Sequence, residues 1–203
     1  MEHIETEIKF FLKDVSSIRN RIIKLGAGSV GRVFETNIVF EDKNKSLIQK
    51  NSLLRLRQDT KTTLTFKSRP PVRDEHFKTL RELEIEVSDF STTKLILESL
   101  GFHNEMIYEK WRETLVLNST TLCIDTMPFG DFLEIEGPKK DIKKLASRIN
   151  LEWRKRIIFN YHEIFDLIKE QFNLSFSDVT FSNFNNVKVD LAQCSHLFEV
   201  GDP

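Results

Sequence analysis

Glu5-x-Glu7-x-Lys9, Arg55-x-Arg57, Lys67, Glu82-x-Glu84-x-Glu86, Lys110-x-Arg112, Asp125 and Glu134-x-Glu136 set eight acids and six bases within the first 137 positions, many spaced by two. Carboxylates gathered together repel one another, and hard divalent cations such as Mg2+ or Mn2+ relieve that repulsion. Lysines and arginines gathered without acids suit a ligand with several closely spaced negative charges, and the guanidinium fork matches phosphate oxygens. The two sets together describe a polyphosphate bridged to metal, as in metal-assisted phosphoryl or nucleotidyl transfer. Such chemistry depends on positioning and charge neutralisation more than on a protein nucleophile.

A period of two places these charges on one face of a series of β-strands. The opposite face carries Ile4, Ile8 and Phe10, then Leu54, Leu56, Leu64, Phe66, Leu83, Ile85, Val87, Leu122, Ile124, Leu133 and Ile135. A one-sided sheet with its charges in water is the plain alternative. A solvated face, however, usually intersperses charges of both signs with Thr, Ser, Gln and Asn. Amphipathic helices follow several of the strands and need an apolar surface to cover. Eight antiparallel strands suffice to close a barrel, so the apolar faces are expected outside under helices and the charges inside. Desolvating an unpaired charge costs several kcal/mol, so charges kept there imply a ligand.

The chain has 203 residues, 39% hydrophobic, which is enough for a packed core, and its formal net charge is -1. Bulk charge therefore selects neither nucleic acid nor an anionic membrane. No run is apolar enough to span a bilayer, charges begin at Glu2, and a cytoplasmic location is expected. Cys123 and Cys194 are too few for a disulfide framework, and the five histidines lack zinc-ligand spacing. The expected partner is a small polyphosphate; the subunit number is open, with a homodimer admitted.

The elements read from the sequence are a strand over 2–11, a helix over 14–25 stopped by Gly26, and a strand over 32–41. A polar turn over 42–50 precedes a hairpin of 52–58 and 62–69 turning at Asp59-Thr60-Lys61. A loop over 70–76 follows, then a strand over 79–88 and a helix over 92–100 stopped by Gly101. Strands over 106–117, 120–125 and 131–136 end at Gly137-Pro138, before helices over 140–150 and 161–172. Glu7 to Gly26 and Glu82 to Gly101 span the same number of positions, suggesting two related halves that close into a symmetric barrel. The fold class is α+β: a closed eight-stranded antiparallel β-barrel, or tunnel, with a charged lumen and helices outside. Residues 1–172 form the tunnel domain and 173–203 an irregular or loosely docked tail.

At these residues the chain resembles the CYTH family, the triphosphate tunnel metalloenzymes. Glu5-Thr6-Glu7-Ile8-Lys9 is similar to the family's opening signature. The series continues through Leu54-Arg55-Leu56-Arg57, Thr65-Phe66-Lys67, Arg81 to Glu86, Lys110-Trp111-Arg112, Asp125 and Phe129 to Glu136. The resemblance implies that Glu5, Glu7, Glu134 and Glu136 hold Mg2+ or Mn2+, with Asp125 and Glu84 assisting. It implies a triphosphate cradle of Lys9, Arg55, Arg57, Lys67, Lys110 and Arg112. Arg81 is out of phase and expected outside, and Cys123, though in phase, reads as filler. His76 and Arg73 lie in a loop that could close a mouth, although solvation is the simpler reading. Arg154, Lys155 and Arg156 are the nearest candidates for a late-helix basic residue. The implied activity is metal-dependent hydrolysis of a triphosphate such as tripolyphosphate, thiamine triphosphate or ATP. The alternatives are a class IV adenylyl cyclase making cyclic AMP and pyrophosphate, and a non-catalytic polyphosphate-binding module. A carrier of apolar ligands is disfavoured by the inward parity of the charges.

Overall fold

Strands with one charged and one apolar face can bury both only by curling, and a computed structural model, describing residues 4–70 and 74–201, has this form. Eight antiparallel strands are β1 (Ile4–Leu12), β2 (Gly28–Asp42), β3 (Ser52–Gln58), β4 (Thr62–Ser68), β5 (Lys78–Val87), β6 (Phe102–Leu117), β7 (Thr120–Met127) and β8 (Gly130–Glu136). They close into a barrel in the order β1-β5-β4-β3-β2-β6-β7-β8. Register aligns the inward set across strands: Glu7 faces Glu136 and Lys78, Lys9 faces Glu134, and Arg112 faces Asp125.

Helices α1 (Val15–Lys24), α3 (Phe90–Ser99) and α4 (Lys139–Arg148) lie against the outer wall. Asp14 and Asp89 cap α1 and α3, accepting from Ser17 N at 2.9 Å and Thr92 N at 2.6 Å. Both helices stop at a glycine in left-handed backbone, Gly26 (φ +92°) and Gly101 (φ +94°). Ile18 and Ile22 of α1 join Ile142, Leu145 and Ala146 of α4 over Ile8, Phe10, Leu122 and Leu133. Each such buried side chain contributes about 1.5–3 kcal/mol relative to exposure. Leu97 of α3 packs with Ile38, Phe40 and Leu56. The outer face of β5 is left open, with Ile85 63% exposed.

The suggested duplication holds in the topology, because β1-α1-β2 and β5-α3-β6 occupy equivalent places around the ring. It does not extend to the basic pairs. Arg55-x-Arg57 is on β3, whereas Lys110-x-Arg112 is on β6, the equivalent of β2. The turn expected over 42–50 contains a short helix, α2 (Ser46–Gln49). Buried Glu41 accepts from Leu47 N at 3.0 Å and Ile48 N at 2.8 Å, satisfying amides that a polar turn would leave to water.

Two segments complete the ladder where strands run out. Beyond the β5 pairing, Lys9 N donates to Ile157 O at 3.0 Å, and Ile157 N donates to Lys9 O at 2.8 Å. On β6, Val179 N donates to Ile107 O at 2.8 Å, and Glu109 N donates to Val179 O at 2.9 Å. The C-terminal segment is irregular, with one short helix, α6 (Phe181–Phe184), and two 3-10 turns, yet it is not loosely docked. Val179, Phe184, Leu191, Cys194 and Phe198 are buried in one cluster with α5 (Tyr161–Phe172). A Cβ on Gly130 (φ +153°) would stand 2.4 Å from Leu191 Cδ1, so this segment presses directly on the β7–β8 hairpin.

Candidate active site

Inside the barrel the charges interleave. Lys9 bonds Glu7 at 2.6 Å and approaches Glu134 at 3.2 Å; Lys78 reaches Glu7 at 2.7 Å. Lys67 bridges Glu5 at 2.5 Å and Glu82 at 3.1 Å. Arg55 lies 3.8 Å from Glu84, and Arg57 lies 3.3 Å from it. Lys110 pairs with Asp125 at 2.9 Å and Glu35 at 3.5 Å. Arg112 grips Asp125 through Nε and Nη2, at 2.6 and 2.5 Å, and also bonds Glu134. Apart from Glu35 and Asp125, which lie behind the wall, these groups line a cavity of about 300 Å3. The bases are segregated along the sequence but not in space, because adjacent antiparallel strands bring acids from one run opposite bases from another. Among the described residues the bare cation clusters expected from the sequence do not form.

Burial and charge pull the carboxyls in opposite directions. Burial favours the neutral form, but Lys78 and Lys9 hold Glu7 low, and Arg112, Lys9 and Lys110 hold Glu134 well below the usual carboxylate range. Lys110, Arg112 and Arg57 likewise outweigh burial and bring Glu35 to about 2. These three contribute stability that is present above their ordinary pKa of 4.5 and is lost as pH falls from there toward 2. Glu5 goes the other way. Burial and the Glu7 charge outweigh Lys67, which is shared with Glu82, and raise Glu5 to about 7. Burial, Glu7 and Glu134 also push Glu136 up. A carboxyl raised in the folded state is a cost that appears as pH climbs from 4.5 through 7. Glu5→Gln is therefore expected to melt about 5 °C higher than wild type at pH 8 without metal, with no difference at pH 4. Thermal melts at both values check this, and a gain that persists at pH 4 rules it out.

All six expected cradle bases line the cavity, together with Glu5, Glu7, Glu84, Glu134 and Glu136. Asp125 is fully buried behind them and accepts from Lys110, Arg112 and the Tyr161 hydroxyl, so its oxygens are occupied by cations of the protein. Arg81 is exposed, and Cys123 is buried near Thr114. Arg154 and Lys155 pair with Glu152 at the surface, while Arg156 lies over the Trp153 ring and donates to His76 O. None of the three lines the cavity, and neither does His76. Arg73 falls outside the described residues.

Sequence reading missed Glu35, Lys78, Tyr108 and Tyr161. Glu35 is 2% exposed and carries the parity of Asn37 and Val39, but it stands alone in an otherwise uncharged stretch of β2. Lys78 falls between the loop expected over 70–76 and the strand expected over 79–88, although its distance from Glu82 and Glu84 keeps the same alternation. The tyrosines lacked any charge to mark them.

Among the described residues, no three of His, Cys, Asp and Glu converge in a ready metal site. The donor chemistry nevertheless fits a hard divalent cation. Glu5 and Glu7 of β1 and Glu134 and Glu136 of β8 present only oxygen on neighbouring strands, and burial, followed by the mutual repulsion of these carboxylates, pushes Glu5 and Glu136 up, a strain that a cation would relieve. Lys9, Lys67 and Lys78 stand where cations are wanted.

A second cavity, about 330 Å3, adjoins the first and shares Lys67, Lys78, Leu53 and Asn160 with it. Its walls add Phe77, Leu80, Ile158 and Phe159 to the acids Asp74, Glu163 and Asp166. Its mixed apolar and polar lining has the character of a site for a small organic group.

Comparison with known proteins agrees with this architecture. A protein of Methanocaldococcus jannaschii, named as a candidate adenylate cyclase, is 29% identical over 143 residues, covering 70% of this chain and 81% of its own. A solved structure from Pyrococcus horikoshii superposes with a TM-score of 0.64 at 28% identity, covering 73% of this chain and 91% of that one. A protein of Hippeastrum, described as a candidate adenylyl cyclase with a dominant triphosphatase activity, has the same fold, with a TM-score of 0.52 at 20% identity over 70% of this chain and 84% of that one. The CYTH domain description matches residues 3–160, all eight strands of the barrel with their charged lining, and the chain belongs to the CYTH family.

Proposed function

We propose that the barrel binds a triphosphate together with Mg2+ or Mn2+ and hydrolyses it. The observation that carries this reading is the enclosed lumen, in which Lys9, Arg55, Arg57, Lys67, Lys110 and Arg112 converge on one cavity of about 300 Å3. Lys78 joins them as a seventh base. Phosphate oxygens would take their donors, with Arg55, Arg57 and Arg112 offering forks and the lysines offering point charges. Glu5, Glu7, Glu134 and Glu136 would hold the metal, with Glu84 nearby at the cavity wall. Asp125 would act by orienting Lys110 and Arg112 rather than by direct ligation. The bound cation would neutralise phosphate oxygens and orient the attacking oxygen.

In the hydrolytic reaction a water oxygen bonds to the terminal phosphorus, the bridging P–O bond breaks, and the remaining phosphates leave with the electron pair. The name of the Methanocaldococcus relative favours a second reading, in which a ribose 3′ oxygen attacks the α-phosphorus of ATP and pyrophosphate leaves. The dominant triphosphatase activity described for the Hippeastrum protein supports hydrolysis as the leading reading. The adjoining cavity supports a triphosphate ester over bare tripolyphosphate under either reading. Protein incubated with Mg2+ or Mn2+ and tripolyphosphate, thiamine triphosphate or ATP is expected to release orthophosphate. Cyclic AMP with pyrophosphate would establish the cyclase instead, and absence of turnover with every metal would leave a binding module.

Arg57 bonds Thr63 Oγ1 at 3.2 Å and lies 3.3 Å from Glu84, facing the cavity without anchoring the core. Arg57→Ala is expected to raise the apparent Michaelis constant about tenfold for every triphosphate while changing kcat much less, as loss of uniform binding does. An unchanged constant removes Arg57 from the cradle.

A further inference from the structure

Tyr161 opens α5, one position beyond the residues matched by the family. A capping box fixes this start: Asn160 Oδ1 accepts from Glu163 N at 2.9 Å, and Glu163 Oε2 accepts from Asn160 N at 2.7 Å. The Lys9–Ile157 bridge holds the approach to α5 against β1. On the other side, Phe165 of α5 packs with Phe129, Phe176 and Phe184. Tyr161 is thereby pressed into the barrel with its ring edge-on to Phe132. Its hydroxyl donates to Asp125 Oδ2 at 2.8 Å, and its ring centroid lies 5.2 Å from Lys9 Nζ and 5.2 Å from Lys110 Nζ.

Resting on the triphosphate reading above, we propose that Tyr161 is a positioning residue whose ring holds the ammonium groups of Lys9 and Lys110 toward the lumen as a paired phosphate seat. The ring accounts for the pairing better than the hydroxyl does. Asp125 is already gripped by Arg112 and Lys110, so the hydroxyl adds one donor among several. Lys9 and Lys110 belong to different strands and bond different acids, and the aromatic face is a feature that both ammonium groups meet. Cation–π attraction strengthens when desolvated, and each of these lysines is only 2% exposed.

The test compares Tyr161→Phe, which keeps the ring, with Tyr161→Leu, which keeps apolar volume without a π-face. Calorimetric affinity for tripolyphosphate with Mg2+ is expected to fall about twofold in the Phe variant and about tenfold in the Leu variant. Leu binding as tightly as Phe, or Phe falling as far as Leu, overturns the proposal. In 13C-lysine-labelled protein without ligand, the Lys9 and Lys110 Cε resonances are expected upfield by ring current in wild type and Phe, and at ordinary positions in Leu. Ordinary positions in wild type overturn the proposal even if the Leu variant does not fold. Failure of wild type to bind tripolyphosphate would refute the triphosphate reading, and the resonances would still decide whether the ring holds both lysines.

Discussion

Glu134→Gln is expected to lower turnover of every triphosphate at least about a hundredfold, the scale of losing one preorganised electrostatic group at a reacting centre. Glutamine keeps the shape but only one acceptor oxygen, so of Arg112 and Lys9, which meet different oxygens of Glu134, one retains a neutral acceptor and the other faces an amide N–H. What is lost is a full charge between two strand-borne cations, and on the proposed reading one oxygen ligand of the metal. Asp125 continues to hold Arg112, which limits the stability cost to roughly 1–3 kcal/mol and the fall in melting temperature to about 10 °C. Glu136→Gln separates the two effects. Burial, Glu7 and Glu134 already disfavour the Glu136 charge, so its removal is expected to leave the melting temperature unchanged or raised while turnover falls by a similar factor. Steady-state rates and thermal melts of the two variants check this together. Full activity in either one removes it from the metal site.

The alternation made the barrel readable because a strand with charges on one side leaves few places to put them. Glu5, Glu7 and Lys9, or Arg55 and Arg57, needed only parity to be placed on one face, whereas the order of the strands around the ring comes from the structure. Parity gives a face and says nothing of the neighbour across it. For that reason the interleaving of Lys67 with Glu5 and Glu82, or of Arg112 with Asp125 and Glu134, was legible only in the register. Glu35 was missed because one acid in a stretch of Val, Phe, Thr and Asn shows no charge alternation. Tyr161 was missed because an aromatic residue at a helix start reads as core, and its use depends on where Ile157 and the C-terminal segment pin α5. That segment, rich in Ser, Asn and Asp, reads as irregular. Its docking rests on scattered aromatics such as Phe184 and Phe198, which no periodicity collects.

Affinity for a non-hydrolysable triphosphate is expected to rise about a hundredfold when Mg2+ is added, within the usual range of coupling between two sites. The reason is that the lumen cations are already engaged. Lys9 and Lys78 converge on Glu7, Lys67 on Glu5 and Glu82, and Lys110 and Arg112 on Asp125. A bare triphosphate must draw these donors away from carboxylates that then stand partly buried and unpaired, which costs several kcal/mol for each uncompensated ion. A divalent cation among Glu5, Glu7, Glu134 and Glu136 would satisfy those carboxylates and release the lysines to phosphate. Linkage requires the reciprocal: the triphosphate must tighten Mg2+ binding by the same factor. Glu7→Gln provides the discriminating control. With the Glu7 charge gone, Lys78 loses its carboxylate partner and Lys9 keeps only Glu134, so the bare analogue is expected to bind more tightly than it does to wild type. The enhancement by Mg2+ is expected to shrink in the same variant, because one ligand is missing. Calorimetric titrations of wild type and Glu7→Gln, each with and without Mg2+, measure all four affinities. Equal affinity of wild type for the analogue with and without the metal would show that the lysines are available from the start and that the carboxylates do not compete for them.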